Sequence, residues 1–227
     1  MRRVIPTKWV GSFMVQLPRK TIAVRHAAIL ALPIFLGFFV GNSPAGAAAI
    51  YEPVGQHTSA PPIGWVQFCQ TYSQVCDTKP LPAVDVLLDK TALSELKRVN
   101  DWVNHTIRPE TDMDHYGTIQ WWRYPDDGAG ACHSYALLKR RILMQAGWPR
   151  QALLMTIVHE ADGEGHAVLT VATDRGEFIL DNLTDNILLW SQTPYRYYKR
   201  QSQDDPNVWV WLDDTRENVA TSSKAAP

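Results

Sequence analysis

The apolar positions in the middle of the chain predict two amphipathic helices. In the first, they recur three and four residues apart and stop before Pro109, at Leu93, Leu96, Val99, Val103 and Ile107. In the second, the same spacing joins Tyr135, Leu138, Ile142 and Ala146, and Gly147 and Pro149 follow as a stop signal. Such spacing places side chains on one helix face, so we expect a helix over each set, the second beginning at Cys132.

A different pattern in residues 163–185 predicts a β-hairpin. The loop Gly163–Gly165 leads into His166, and the side chains after it alternate between two faces. One face carries Val168, Thr170 and Ala172, and the other carries Ala167, Leu169 and Val171. A turn at Thr173–Gly176 separates this strand from the apolar run Phe178–Leu180, which Asp181 follows. Alternation with a period of two is typical of strands, and the polar turn indicates that the two strands pair.

The N-terminal segment has the composition of a secretory signal peptide. Its first 26 residues contain six basic residues and no acid, and the apolar run Ala27–Gly41 spans 15 residues, short of a membrane helix. Ala45 and Ala47 then fit a small-residue cleavage site, so we interpret residues 1–47 as a signal peptide. Met14 is a second possible start, and a mitochondrial transit peptide is the rival interpretation, which the compact apolar block disfavours.

Removal of this leader leaves 180 residues, enough for one domain with a sizeable core. The remaining 16 basic and 23 acidic residues give a net charge of −7, which disfavours nucleic acid or anionic lipid as a partner. We expect a flexible lead-in over residues 48–61, a domain over 62–211 and a disordered tail over 212–227, where apolar residues are scarce. The location is then periplasmic or secreted, with membrane contact only through the signal peptide.

The three cysteines divide into a pair and a single residue. Cys69 and Cys76 lie close together in a chain that is expected to be exported, and a disulfide is the simplest interpretation. Two free thiols or a metal-binding pair are the alternatives, the second disfavoured because no other Cys or His pair has ligand spacing. Cys132 remains as either an inert buried residue or a thiol kept for chemistry.

The surroundings of Cys132 favour chemistry. It lies in the first turn of the predicted helix, where free backbone N–H groups and the helix dipole stabilise a thiolate and could hold an oxyanion. Gly128, Ala129 and Gly130 precede it and allow a tight backbone bend. His133 is a poor candidate for the base, because one step along a helix turns the side chain by about 100°.

His166 and Asp181 are the better candidates for the base and its orienting acid. If the hairpin connection has an even number of residues, Asp181 pairs with Val168 and lies on the same sheet face as His166. An odd connection would place the two side chains on opposite faces. Taken singly, His166 could be an ordinary strand-end histidine and Asp181 a turn cap. Together with Cys132 they form a Cys, His, Asp set of the kind used in nucleophilic catalysis.

Four segments resemble the bacterial transglutaminase-like cysteine proteinases. They are DHYGTIQWW at residues 114–122, CHSYALLKRRILMQAGWP at 132–149, GEGHAVLTVATDRGEFILDNLTD at 163–185 and YRYYKRQS at 195–202. The resemblance implies an α+β domain of papain-like, transglutaminase-like topology, with the nucleophile helix packed on an antiparallel sheet. It also maps a catalytic triad onto Cys132, His166 and Asp181, so that the expected activity is a cysteine peptidase of the cell envelope.

The resemblance leaves three functions open. A triad of this kind can hydrolyse peptide bonds, and the substrate would then be a protein or peptide such as a surface adhesin. It can also transfer the acyl group to an amine, as a transglutaminase does. A catalytically silent peptide-binding protein is the third reading. Trp121 and Trp122 could line the substrate groove, although aromatic residues are more often part of the core.

One departure from the family concerns calcium. Members usually flank the nucleophile with acids, which help to bind calcium in the adhesin-releasing periplasmic proteases. Here Ala131, His133 and Ser134 supply no carboxylate, and calcium requires several oxygen ligands. Asp126 and Asp127 lie upstream and are the alternative source of carboxylate ligands. We predict no cofactor and no metal-binding residues at this place.

Overall fold

In the computed structural model, which describes residues 49–216 of the 227-residue chain, five α-helices accompany a large antiparallel sheet. The helices are α1 (Ile63–Thr71), α2 (Ser73–Cys76), α3 (Lys90–Thr106), α4 (Asp112–Tyr116) and α5 (Cys132–Gln145). The two helices predicted from apolar spacing are confirmed as α3 and α5. The Asp89 side chain caps α3 by accepting a hydrogen bond from the backbone N–H of Ala92 at 2.8 Å.

Seven strands form one sheet in the order β1-β9-β8-β4-β5-β6-β7, and every neighbouring pair is antiparallel. Their bounds are β1 (Val54–Ser59), β4 (Leu153–His159), β5 (Gly165–Thr173), β6 (Gly176–Leu180), β7 (Leu188–Leu189), β8 (Arg196–Gln201) and β9 (Trp209–Leu212). The short strands β2 (Arg108–Pro109) and β3 (Ala129–Gly130) pair in parallel outside this sheet.

Helix α5 packs against the central strands β4 and β5 and against α3. Side chains from these elements, among them Leu137, Leu143, Leu153 and Leu169, are fully or almost fully buried in one hydrophobic core. Burial of a leucine side chain contributes about 1.5–3 kcal/mol to the free energy of folding, so this core fixes the helix on the sheet. The expected α+β fold, with the Cys132 helix on an antiparallel sheet, is confirmed.

The hairpin and the disulfide are also as predicted. Leu169 pairs with Leu180 and Thr173 with Gly176, so Asp174 and Arg175 form a two-residue connection and the even register holds. Cys69 and Cys76 are joined by a disulfide that links α1 to the end of α2.

The structure corrects both ends of the predicted domain. Residues 54–59, expected as part of a flexible lead-in, form strand β1 at the edge of the sheet, paired with β9. The strand escaped prediction because most of its side chains are exposed and polar, and only its backbone joins the sheet. At the other end, residues 212–216 are also ordered, because Leu212 ends β9 and Arg216 donates a hydrogen bond to the Trp190 carbonyl.

A buried charged cluster holds the N-terminal segment to the sheet. The Arg200 guanidinium donates to Glu52 at 3.0 Å and also binds Glu177, while Thr170 donates to Glu52 at 3.0 Å. The backbone N–H of Glu177 in turn donates to the Ile50 carbonyl. Ile50 and Glu52 precede β1 in the chain, so the cluster anchors the first residues that the structure describes.

The predicted signal peptide and residues 217–227 lie outside the described part of the chain. From residue 49 to residue 216, no helix has the length and apolar character that crossing a membrane requires.

Candidate active site

Cys132 is the first residue of α5, as the sequence predicts. The preceding strand β3 is held by its pairing with β2, which places the residues before the cysteine against the end of α3. Gly130 makes this approach possible, because a Cβ at that position would lie 2.6 Å from the Ser134 Cβ on α5. Cys132 is half-buried and is the free cysteine of the three, all of which lie in the described residues.

His166 lies near the start of β5 and Asp181 directly follows β6. The hairpin register brings them together, with His166 Nε2 2.8 Å from Asp181 Oδ1. Both side chains are almost fully buried. Asp181 also accepts hydrogen bonds from the Tyr195 hydroxyl and from the backbone N–H of Leu183. The carboxylate is therefore fixed by three donors, and it fixes the imidazole in turn.

The contacts between Cys132, His166 and their neighbours set the protonation states of the site. Burial alone would raise the pKa of the Cys132 thiol, but hydrogen-bonding and charge interactions with His133 and then His166 lower that pKa to about 6. Burial alone would lower the pKa of His166, whereas Asp181 and the Cys132 sulfur raise it to about 10. At neutral pH the site thus holds a thiolate beside an imidazolium, the form in which a cysteine is a strong nucleophile.

A second histidine lies at the same sulfur, contrary to the expectation that His133 points away. His133 is 4% exposed, and its Nε2 lies 3.3 Å from Asp112 Oδ1 at the start of α4. Its ring stacks on Trp122 with ring centroids 5.2 Å apart and an angle of 4° between the planes. These two contacts hold the ring beside the nucleophile, and neither is visible in helix geometry alone.

A small cleft opens onto the nucleophile. Its volume is about 100 Å³, and its walls are formed by Pro62, Gln120, Trp122, Cys132, His133, Ile157, Gly165, His166, Ala167 and Lys199. A larger surface groove of about 770 Å³ is lined by residues of α3 alone and contains none of the catalytic candidates. We therefore take the small cleft as the candidate active site, since the nucleophile and both histidines face it.

Of the two tryptophans singled out in the sequence, the structure places one in this cleft. Trp122 is buried, lines the cleft and approaches α1 at Gly64, where a Cβ would lie 2.1 Å from the indole. Trp121 is 38% exposed and lies outside the cleft walls, with its backbone N–H donating to Asp112 at 2.7 Å.

Sequence reasoning missed Asp112, Gln120 and Tyr195. Gln120 has a φ of 57°, an unfavourable left-handed conformation for a residue other than glycine, and its side-chain oxygen accepts from Trp122 Nε1 at 3.3 Å. That contact engages the side-chain oxygen, and Gln120 also forms part of the cleft wall. Asp112 and Tyr195 carry no local signal, because each reaches the site only through the tertiary fold; both lie within the segments that carried the family resemblance or beside them.

A comparison with models of known protein families finds one match. The profile of the bacterial transglutaminase-like cysteine proteinases matches residues 54–217. Three solved forms of the Legionella pneumophila protein LapG are similar in structure. The calcium-bound form is 21% identical, covers 75% of this chain and 87% of its own, and has a TM-score of 0.46. A second form is 23% identical, covers 67% and 81%, and has a TM-score of 0.45. The EGTA-treated form is 24% identical, covers 68% and 80%, and has a TM-score of 0.46. The search of curated proteins found no match.

Proposed function

Because the chain belongs to the bacterial transglutaminase-like cysteine proteinases, and is thus a cysteine peptidase, we propose that it cleaves peptide bonds of an exported or surface protein with Cys132, His166 and Asp181. The observation that carries the proposal is the placement of the low-pKa Cys132 thiol at a helix start, beside a histidine hydrogen-bonded to a buried aspartate at 2.8 Å. A merely structural cysteine has no need of this arrangement.

Each residue then has a definite role. The Cys132 thiolate adds to the substrate carbonyl carbon, and the electron pair of the C=O bond moves to the oxygen. The His166 imidazolium gives its proton to the leaving amine as the C–N bond breaks. Neutral His166 next takes a proton from water, which attacks the thioester and releases the acid and the thiolate. Asp181 keeps the imidazole oriented and stabilises its cation throughout.

The developing oxyanion needs hydrogen-bond donors. The backbone N–H groups of Cys132 and His133 at the start of α5 are candidates, since the first N–H groups of a helix have no partner within it, whereas the Ser134 N–H donates to the Ala131 carbonyl at 2.9 Å. The side-chain amide of Gln120 is a further candidate, as its oxygen is occupied by Trp122 and it lines the same cleft. Loss of one such donor typically lowers kcat by about 100- to 1000-fold.

The residues beside Cys132 do not fit the calcium that the family resemblance suggests and that one LapG form contains. Ala131 and Ser134 offer no charge, and His133 Nε2 lies 3.3 Å from Asp112 Oδ1. The two upstream acids have other partners, since Asp126 lies 3.3 Å from Arg141 and Asp127 lies 3.0 Å from His115. Among residues 49–216, no three His, Cys, Asp or Glu side chains converge as a metal ion would require. No step of the proposed mechanism therefore involves calcium.

We propose a location in the periplasm or outside the cell, after removal of residues 1–47, and an exported protein such as a surface adhesin as the substrate. A narrow cleft of about 100 Å³ suits an extended, accessible segment of a larger protein, because such a segment can enter without unfolding a domain. The net charge of −7 for the chain after residue 47 supports a substrate that is neither nucleic acid nor an acidic surface.

The test compares cells that carry the wild-type chain with cells that carry Cys132→Ser. New N-termini in envelope and secreted proteins are labelled and identified by mass spectrometry. The proposal requires at least one cleavage that occurs with the wild type, disappears with Cys132→Ser and is restored by adding purified wild-type protein to extracts of the mutant cells. Labelled amine incorporated at glutamine in place of cleavage would instead identify a transglutaminase. Equal fragment sets in the presence of a reactive thiol would identify a binding protein.

A further inference from the structure

The site contains two histidine–aspartate pairs around one sulfur, and the proposed mechanism uses only one of them. The first is His166 with Asp181, at 2.8 Å. The second is His133 with Asp112, at 3.3 Å, and both of its side chains are less than a tenth exposed. Burying an aspartate without a cationic partner is costly, so the geometry of the second pair favours a protonated His133.

We propose that His133 is a second imidazolium of the active site, held by Asp112 and Trp122, and that it stabilises the Cys132 thiolate independently of His166. This inference deepens the proposed function, on which its role in turnover depends. It assigns a role to a residue that replaces the acid usually found beside the nucleophile in this family.

Three observations fix the ring in position. The Asp112 carboxylate is itself anchored, because its Oδ2 accepts from the backbone N–H of Trp121 at 2.7 Å while Oδ1 faces His133. The Trp122 indole covers one face of the imidazole in a nearly parallel stack, an arrangement that also favours a cation. The ring lines the same cleft as Cys132 and His166, so it stays at the reacting atoms rather than turning into the core.

The two imidazoles have different tasks in this arrangement. His166 must lose its proton to the leaving amine and regain one from water, so it is neutral for part of each turnover. Asp112 keeps the proton on His133 during that interval, which leaves one positive charge at the sulfur and at the oxyanion of the second step. Burial alone would lower the pKa of His133, but Asp112 and the Cys132 sulfur raise it to about 9, consistent with a ring that stays charged at neutral pH.

The charged groups around the sulfur come from every element that surrounds it. Helix α4 supplies Asp112, α5 supplies His133 and β5 supplies His166; Asp181 follows β6, Tyr195 precedes β8, and Lys199 of β8 lines the cleft. Glu160 Oε1 lies 4.0 Å from His166 Nδ1. Of these, the two histidines are the groups that lower the pKa of the Cys132 thiol, so they are the groups to vary.

The test measures the rate of iodoacetamide alkylation of Cys132 between pH 5 and pH 10, with purified protein that unfolds cooperatively. In wild type the rate should rise with a midpoint near pH 6, the lowered pKa of the thiol. In His133→Gln the midpoint should rise by about one pH unit, so that alkylation at pH 6 is roughly five- to tenfold slower and alkylation above pH 9 is unchanged. His57→Gln, a change at an exposed histidine of β1, is the matched control and should behave as wild type.

Further variants separate charge from structure. His133→Lys should recover part of the fast alkylation at pH 6, since it restores a cation, whereas a merely structural loss would not recover. Asp112→Asn leaves the ring but removes its carboxylate, and it should move the midpoint in the same direction as His133→Gln. His166→Gln should abolish turnover yet leave the thiol more acidic than a free cysteine. A double change of His133 and His166 should bring the midpoint above about 8.5, the value of a free cysteine, because burial alone raises the pKa of this thiol.

The proposal is overturned if folded His133→Gln and Asp112→Asn keep the wild-type midpoint, or if His166→Gln alone reaches that of a free cysteine. Alkylation needs no substrate, so this result is independent of whether a peptide bond is cleaved. A fast, His133-dependent alkylation without any cleavage would contradict the proposed function and leave this inference intact.

Discussion

At the scale of single residues, the protonation states of Cys132 and His166 set the pH range of activity. The thiol has its pKa lowered to about 6 by the two histidines against the effect of burial, and His166 has its pKa raised to about 10 by Asp181 and the sulfur. We expect kcat/KM for a peptide substrate to rise through pH 6, stay level at pH 7–9 and fall near pH 10. The two apparent pKa values of this pH profile belong to Cys132 and His166 as a coupled pair rather than to either residue alone. A rise only above pH 8 would mean that the thiol is not activated.

The Tyr195 hydroxyl is a further single group that supports the triad, because it donates a hydrogen bond to Asp181 Oδ2. A hydrogen bond to a charged group contributes about 1.5–3 kcal/mol, and part of that holds the carboxylate in position for His166. Tyr195→Phe should lower kcat by roughly tenfold with little change in KM, as each 1.4 kcal/mol corresponds to a factor of ten.

Tyr198→Phe is the matched control for this change. Tyr198 lies in β8, three residues after Tyr195, and is 41% exposed. Its hydroxyl makes no hydrogen bond within residues 49–216, so the kinetics of Tyr198→Phe should equal those of wild type. Unchanged kcat in Tyr195→Phe, measured by steady-state kinetics on a cleavable peptide, would remove Tyr195 from the support of Asp181.

At the scale of helices and strands, periodic apolar patterns predicted the elements that carry the site, and paired-strand arithmetic placed His166 and Asp181 on one face on the condition of an even connection, which the two-residue turn meets. Both signals are local, because α5 and the β5–β6 hairpin are continuous in the chain. Strand β1 was missed for the opposite reason: its partner β9 lies about 150 residues away, and its own side chains are mostly exposed. His133 was expected to turn away from the nucleophile, but its contacts with Asp112 and Trp122 hold it there. Residue spacing along the chain does not predict such contacts.

The strands that meet at the buried cluster of Glu52, Glu177 and Arg200 carry a prediction of their own. Burial and the nearby Glu177 raise the pKa of Glu52 to about 7, against the lowering effect of Arg200. A raised carboxyl pKa means that the folded state binds the proton more tightly than the unfolded chain, so stability falls as pH rises from about 4.5 to 7. Glu52→Gln should therefore be tolerated and should reduce this pH dependence.

Arg200→Met is the contrasting variant. It leaves two carboxylates buried without a cation, and loss of one partner from a buried ion pair costs about 3–5 kcal/mol. Urea unfolding at pH 8 should show that loss for Arg200→Met and a change within about 1 kcal/mol for Glu52→Gln. Equal losses in both variants would show that packing, rather than charge, holds this cluster together.

At the scale of the whole molecule, the predicted cleavage after residue 47 is compatible with the way the described N-terminal residues attach to the sheet. Cleavage there would retain Ile50 and Glu52, which bond to Glu177. Mature protein isolated from the periplasm should begin near Ala48, as measured by intact mass and N-terminal sequencing. A chain shortened to begin after Pro53 should lose the charged cluster and melt at a lower temperature. An N-terminus found at Met1 or Met14 in that fraction would contradict the signal peptide.

Dependence on calcium is the last property of the whole molecule that the residues around Cys132 predict. Ala131 and Ser134 carry no charge, the His133 ring is engaged by Asp112, and imidazole is a poor ligand for a hard cation. Peptide cleavage should survive EGTA. Added calcium should leave the melting temperature nearly unchanged, whereas a ligand that bound the native state would raise the melting temperature once its concentration exceeded its Kd.

Two comparisons sharpen this test. Magnesium added at the same concentration controls for ionic strength, and the double change Ala131→Asp with His133→Glu should introduce a calcium-dependent rise in melting temperature if the surrounding backbone still offers oxygen ligands. Loss of cleavage in EGTA with recovery on adding calcium to the unmodified protein would contradict the prediction. The acids to examine would then be Asp126 and Asp127, since each would have to leave its present partner, Arg141 or His115, to bind the ion.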